Sequence, residues 1–179
     1  MIVDLDAFLR ATATGGPAVA LTADPVAAHL RPDIDHGIVV RRLDGSAMRT
    51  LDGMYAQYAR AWDFPNYFWH GGDSFNDCIG DLDDGRHHTA TGARAAGFLT
   101  VVTHGEDFLA DADPDDFTWI ARAQDEWREQ YATVDAYGAD RPVPVAFGLL
   151  LQTGATDLDL VRRRWSAAGA RITEVGGAA

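Results

Sequence analysis

Hydrophobic residues along this chain alternate between two arrangements, short apolar runs and helical stripes. Residues 18–21, 37–43, 97–103 and 143–151 are apolar runs that read as strands, and the run at 97–103 is continuous enough for a strand covered on both faces. A shorter run at 172–175 reads as one more. Between them lie helical signals. Residues 4–10 form a short helix, and Asp24 followed by Pro25 is a cap and first-turn proline opening another. From Thr50, a capping residue, Leu51, Met54, Tyr55, Tyr58 and Trp62 recur at the spacing of one buried helix face, and Pro65 ends the pattern. Residues 73–82 follow as a helix with Phe75, Cys78, Ile79 and Leu82 on one side and Asp73, Asn76, Asp77, Gly80 and Asp81 on the other.

Residues 83–96 read as a mobile loop. Asp113-Pro114-Asp115-Asp116 supplies a cap, a first-turn proline and two acids at the positive end of a helix dipole, and predicts a long helix to about residue 133. A last helix spans 157–168, with Gly169 as its stop. Strands alternating with helices imply an α/β layered fold, of two or three layers, around a mainly parallel sheet.

Composition narrows the function classes. With 27 acidic and 15 basic side chains, all of the latter Arg, the 179-residue chain has a net charge of −12. That charge works against binding to nucleic acid or anionic lipid, both of which need clustered cations, so any charged partner should be basic. The hydrophobic share of 47% can bury a sizeable core. Cys78 is the only cysteine, which rules out an intrachain disulfide and fits a reducing compartment. No export signal and no apolar run of about 20 residues is present, so a cytoplasmic location is expected.

The chemistry concentrates in residues 61–85, which hold six aspartates and no basic residue beside Trp62, Phe64, Tyr67, Phe68, Trp69 and Phe75. Asp73 and Asp77, four apart, share a helix face and repel each other by a few tenths of a kcal/mol. Two readings fit: a solvated face of an acidic helix, or a carboxylate row that takes the place of phosphates in a cationic cleft and accepts bonds from Arg and Lys. An enzyme is less well supported. His87 and His88 are adjacent and point apart, and no HExxH motif, glycine-rich phosphate loop or nucleophile elbow occurs, so no metal or other cofactor is expected. Cys78 falls on the apolar side of its helix and reads as a small buried hydrophobe despite nearby His70. Arg162, Arg163 and Arg164 read as a solvated helix end complementing the negative dipole pole.

The ungapped run from Phe64-Pro65-Asn66-Tyr67-Phe68 through Trp69-His70-Gly71-Gly72-Asp73-Ser74-Phe75-Asn76-Asp77-Cys78 to Ile79-Gly80-Asp81-Leu82 resembles the signature of the barstar family, intracellular inhibitors of barnase-type ribonucleases. The likeness extends over about residues 36–152, leaving 1–35 and 153–179 as added N- and C-terminal elements. It implies a small sheet of three core strands flanked by helices, no catalysis and no cofactor. It also implies a protein partner, a basic secreted or toxin ribonuclease, whose active site is blocked by an antitoxin or immunity-type plug. Tyr67, Asp73 and Asp77 match positions that enter the nuclease cleft, Asp77 at the centre and Gly80 at the edge, and Trp69, His70, Gly71, Asn76 and Asp81 complete the expected surface. Asn76 replaces a Trp of the family pattern, and Trp69 and Gly72 replace a Gly and a Leu or Trp. A further acid from the long helix is implied, with Asp125, Glu126 and Glu129 as candidates. The alternative is a domain of the same fold that binds another basic protein without inhibiting a nuclease.

Overall fold

Parallel strands cannot be joined by a tight turn, so an alternation of apolar runs and helical stripes forces each connection to cross a face of the sheet. The computed structural model, which describes residues 2–25, 37–89, 91–134 and 143–176, shows this arrangement. Its elements are β1 (Ile2–Val3), α1 (Leu5–Thr12), β2 (Val19–Thr22), β3 (Ile38–Asp44), α2 (Leu51–Ala61), α3 (Gly72–Gly80), β4 (Gly97–Thr103), α4 (Pro114–Ala132), β5 (Ala146–Gln152), α5 (Leu158–Ala167) and β6 (Ile172–Val175). The strands lie in the order β1-β6-β2-β5-β4-β3, every pairing parallel. The helix predicted beyond Asp24 falls on residues 26–36, outside those described. No helix among the described residues is long and apolar enough to cross a membrane.

The expectation of three core strands is corrected to six. β3, β4 and β5 are the expected three, but the segments taken as terminal additions supply β1, β2 and β6, and β2 is hydrogen-bonded to β5 on one side and β6 on the other. The physical reason lies in β5, whose Leu149, Leu150 and Leu151 are at most 1% exposed. On a three-stranded sheet they would form an apolar edge open to pairing with other chains, and β2 covers it.

Alternate strand residues feed two cores. Val19, Leu21, Phe98, Val102, Phe147, Leu149 and Leu151 face α2, α3, α4 and α5, whereas Ala20, Leu99, Val101, Ala146 and Leu150 face Leu5, Phe8 and Leu9 of α1. Gly148 interrupts β5 because the Phe8 ring lies on it; a Cβ there would stand 2.9 Å from the ring.

The predicted caps at Thr50 and Asp113 form. Thr50 accepts a hydrogen bond from the Gly53 N–H at 3.2 Å and Asp113 from the Asp115 N–H at 2.9 Å. Within the segment expected to be a loop, His88 bridges Arg94, and the His87 ring packs edge-on against Trp62 with centroids 5.6 Å apart, burial lowering its pKa. One expectation changes. Arg164 does not end in solvent: its guanidinium donates to the carbonyls of Phe108 and Leu109 and lies 4.0 Å from the Phe117 ring centre. Arg162 pairs with Asp159 and Glu174, and of the three arginines Arg163 alone is exposed.

Asp125 of α4 ties the terminal segments to the rest. Its carboxylate accepts the Ala18 N–H at 3.1 Å, pairs with Arg171 at 2.9 Å, and faces the Arg128 guanidinium, which is buried, at 3.9 Å. Asp125→Ala is expected to lower the unfolding free energy by about 2–4 kcal/mol in urea titration, since it strands a buried cation and a backbone donor. His104, at the end of β4, meets Asp44 at 2.8 Å, and this hydrogen bond raises the histidine pKa above 6.5 and lowers that of Asp44 below 3.8. The raised histidine contributes stability that is complete below 6.5 and lost as pH rises through its folded value; the lowered aspartate contributes above 3.8 and loses it on acidification. His104→Asn should therefore reduce the urea midpoint slightly near pH 5 and leave it unchanged near pH 8.5. The loss is small because both groups are exposed.

Candidate functional site

The acidic helix α3 begins at Gly71, an N-cap without a side-chain hydrogen bond, and Asp73 in its first turn supplies the negative charge that the positive end of the helix favours. Ser74, Phe75, Cys78 and Ile79 are buried, whereas Asp73, Asn76, Asp77 and Asp81 are exposed. The Phe75 ring lies 5.2 Å from Tyr55, 5.3 Å from Tyr58 and 5.7 Å from Trp127, so α2 and α4 both hold it. Burial, reinforced by Asp77 and Asp81, raises the pKa of the Cys78 thiol and leaves it a packing group.

Hydrogen bonds from α4 fasten α3 along its length. The Trp127 indole N–H donates to Asn76 Oδ1 at 2.7 Å, and Gln130 Nε2 donates to the Gly80 carbonyl at 3.3 Å. The buried Tyr131 hydroxyl donates to the Ile79 carbonyl at 2.5 Å and accepts from the Leu82 N–H at 3.0 Å, occupying a carbonyl left over at the helix end. Held this way, α3 presents its acids in a fixed register. Among the described residues, neither the Asp73 nor the Asp77 side chain forms an ion pair or a hydrogen bond. Asp84, just beyond the helix, is paired with Arg86 at 2.6 Å.

The approach to the helix is aromatic. Tyr67 and Trp69 are each 68% exposed, unusual for side chains of this size. Trp69 lies over Gly71, where a Cβ would stand 3.0 Å from the ring. His70 has a φ of +50°, and although the residue is exposed its ring leans on Phe68 and Tyr55, with centroids 5.3 and 6.0 Å away.

A groove with a volume of about 450 Å³ opens between α2, α3 and α4, lined by Leu51, Tyr55, Gly72, Asp73, Asn76, Asp116, Trp119 and Glu126. It separates the three candidate acids of the long helix. Glu126 faces the groove with Asp73, Asp125 is spent on Arg171 and Ala18, and the charge of Glu129 acts on Arg171 on that other side. Gly80, placed at the interface edge by resemblance, is buried beneath Gln130 and offers little surface. Asn76 is exposed, but its oxygen is committed to Trp127. The sequence reading missed Tyr55, Asp116 and Trp119 as residues that line this groove. The spacing 116, 119, 126 is one stripe of α4 and was the available signal. Burial, reinforced by the charges of Asp116 and Asp52, pushes the Tyr55 hydroxyl up to about 12. No three His, Cys, Asp or Glu side chains among the described residues are grouped to hold a metal ion.

A family model described as Barstar (barnase inhibitor) matches residues 38–149, a span from β3 to β5 that includes α3 and the groove. No curated protein matches the chain. Among solved structures, the chain is similar to the Aeropyrum pernix ORC2 protein in its ADP form, at 13% identity and a TM-score of 0.54 over 96% of this chain and 44% of that one. A second structure of that ORC2 protein, in ADPNP-ADP complexes, gives 12% identity and a TM-score of 0.51 over 96% and 46%. The chain thus spans less than half of those proteins, and the likeness is one of fold. Residues 23–36, which follow β2, contain neither glycine nor lysine, the residue types of a phosphate loop.

Tyr131→Phe should cost about 1–3 kcal/mol of unfolding free energy in urea, because the Leu82 N–H and Ile79 carbonyl lose a buried partner. Amide exchange at the C-terminal end of α3 should rise more than in β4. Uniform exchange changes would show that the hydroxyl does not fasten the helix.

Proposed function

The chain belongs to the barstar (barnase inhibitor) family, and on that basis we propose that it is a protein inhibitor that occludes the active site of a basic, barnase-like ribonuclease with the exposed face of α3. One observation carries this reading: Asp73 and Asp77 lie exposed on a helix fastened from behind, and no cation of the chain among the described residues neutralises them. A ribonuclease holds a polyanion, so its substrate groove carries cations that are poorly compensated when empty. A fixed row of carboxylates presents the same charge without a bond that can be cleaved.

The two components of binding have separate physical origins. Long-range attraction between the acidic face and a cationic groove speeds encounter and weakens with salt. Charge-assisted hydrogen bonds at the desolvated centre, assigned to Asp77 with Asp73 beside it, slow dissociation. Tyr67 and Trp69 supply exposed rings that anchor the contact and exclude water around it. Such an inhibitor carries out no reaction, requires no cofactor and acts in the compartment that must be protected.

Capture of partners from the cell of origin should recover a basic ribonuclease whose activity falls at a one-to-one ratio. Recovery of a different basic protein, with nuclease activity untouched, would support the non-inhibitory reading instead. Asp77→Ala should weaken binding by about 2–5 kcal/mol, and Asp84→Ala, already paired with Arg86, by less than about 1 kcal/mol. Affinity should fall as ionic strength rises. Equal losses for the two variants would remove Asp77 from the centre.

A further inference from the structure

The acid row of α3 is interrupted by one side chain that can donate. Asp73 and Asp77 offer carboxylate oxygens alone, whereas Asn76, exposed on the same side of the helix, carries an acceptor and two donors. Trp127 of α4 decides how that amide is used. Its indole, 3% exposed, has an N–H that donates and no atom that accepts, so the amide atom it meets at 2.7 Å is the oxygen. Turning the amide over would set a buried N–H against an NH2 group. The Nδ2 group is therefore the unengaged end of an exposed residue, and neither of its N–H bonds is taken up by the chain among the described residues.

We propose that Asn76 is a specificity-determining residue of this face: its locked Nδ2 group donates to a neutral carbonyl oxygen of the partner protein, set among the cations that receive Asp73 and Asp77. The inference rests on reading the α3 face as a protein-binding surface. The neighbouring acids select the kind of acceptor. A carboxylate of the partner would be repelled by Asp73 and Asp77, which no cation of the chain neutralises among the described residues, and a cation would be met by N–H groups. A neutral carbonyl suffers neither penalty. Because the indole already holds the other end of the amide, donation to the partner costs little further freedom. An acidic helix attracts basic proteins in general; a fixed donor within it discriminates among them.

Asn76→Asp provides the test. It keeps an oxygen for the Trp127 N–H, removes both donors and adds a negative charge, so a face governed by charge alone would hold a basic partner more tightly. The opposite is expected for the intact protein and the basic protein recovered by capture: association unchanged or faster, dissociation faster by about five- to twentyfold, and a urea midpoint close to that of the parent chain. Trp127→Phe should release the amide, lowering the ¹⁵N order parameter of the Asn76 side chain from about 0.85 to below about 0.6. In that background no indole N–H depends on residue 76, and Asn76→Asp should still speed dissociation, which a purely structural asparagine would not do. Slower or unchanged dissociation for Asn76→Asp, or equal order parameters in the parent and Trp127→Phe, would overturn the proposal. If a nuclease is inhibited and Asn76→Asp binds it more tightly, the assignment of Asn76 alone fails; if no basic protein is recovered, the reading of α3 as a binding face fails and this proposal with it.

Discussion

Acids that repel one another stay together on this surface because the helix carrying them is fastened on its opposite side. Asp73, Asp77 and Asp81 succeed each other at intervals of one turn, with Glu126 and Asp116 across the groove, a charge distribution that favours fraying of α3. The Tyr131 hydroxyl, the Trp127 indole and the Gln130 amide act from α4, and Phe75 locks between the rings of α2 and α4. Repulsion that would unravel an isolated helix thus becomes a potential directed outward. A binding face pre-organised in this way loses little conformational freedom when a partner docks.

The position of α4 depends in turn on the sheet. Its Asp125 carboxylate reaches the backbone at Ala18 and the guanidinium of Arg171, so the segment before β2 and the segment before β6 meet on the helix that clamps the acid row. This arrangement makes the terminal segments part of the support for the site. Insertion of β2 between β5 and β6 covers the leucines of β5 and unites residues that lie more than a hundred positions apart in one hydrogen-bonded layer.

The family assignment and the structural likeness bear on different parts of the chain. The family match covers the stretch from β3 to β5, which includes α3 and its clamp, while the likeness of fold to the larger ORC2 structure extends over 96% of this chain. A parallel sheet with helices on its faces supports many activities, so the chemistry of the α3 surface carries the functional reading here.

Local signals were sufficient for most elements. The caps at Thr50 and Asp113, the stop at Pro65 and the division of α3 into an apolar and an acidic side follow from residue spacing alone, since each depends on neighbours within a turn or two. The motif around Asp73 and Asp77 was legible for the same reason. Strand order was not, because a run such as residues 18–21 specifies that it must be buried on both faces without specifying between which partners. Side-chain fate at long range was equally hidden. Arg164 and Arg163 are neighbours of one type, yet the first is bound to two carbonyls and a phenyl ring while the second is exposed. Asp125 and Glu126 are adjacent acids, one consumed by Arg171 and the other facing the groove. The amino-acid sequence by itself determined the helices, the runs and the acid row. Which strands pair, which acids remain uncompensated and how Tyr55 and Trp119 come to line one groove were decided by tertiary packing, because each depends on residues brought together only when the helices close on the sheet.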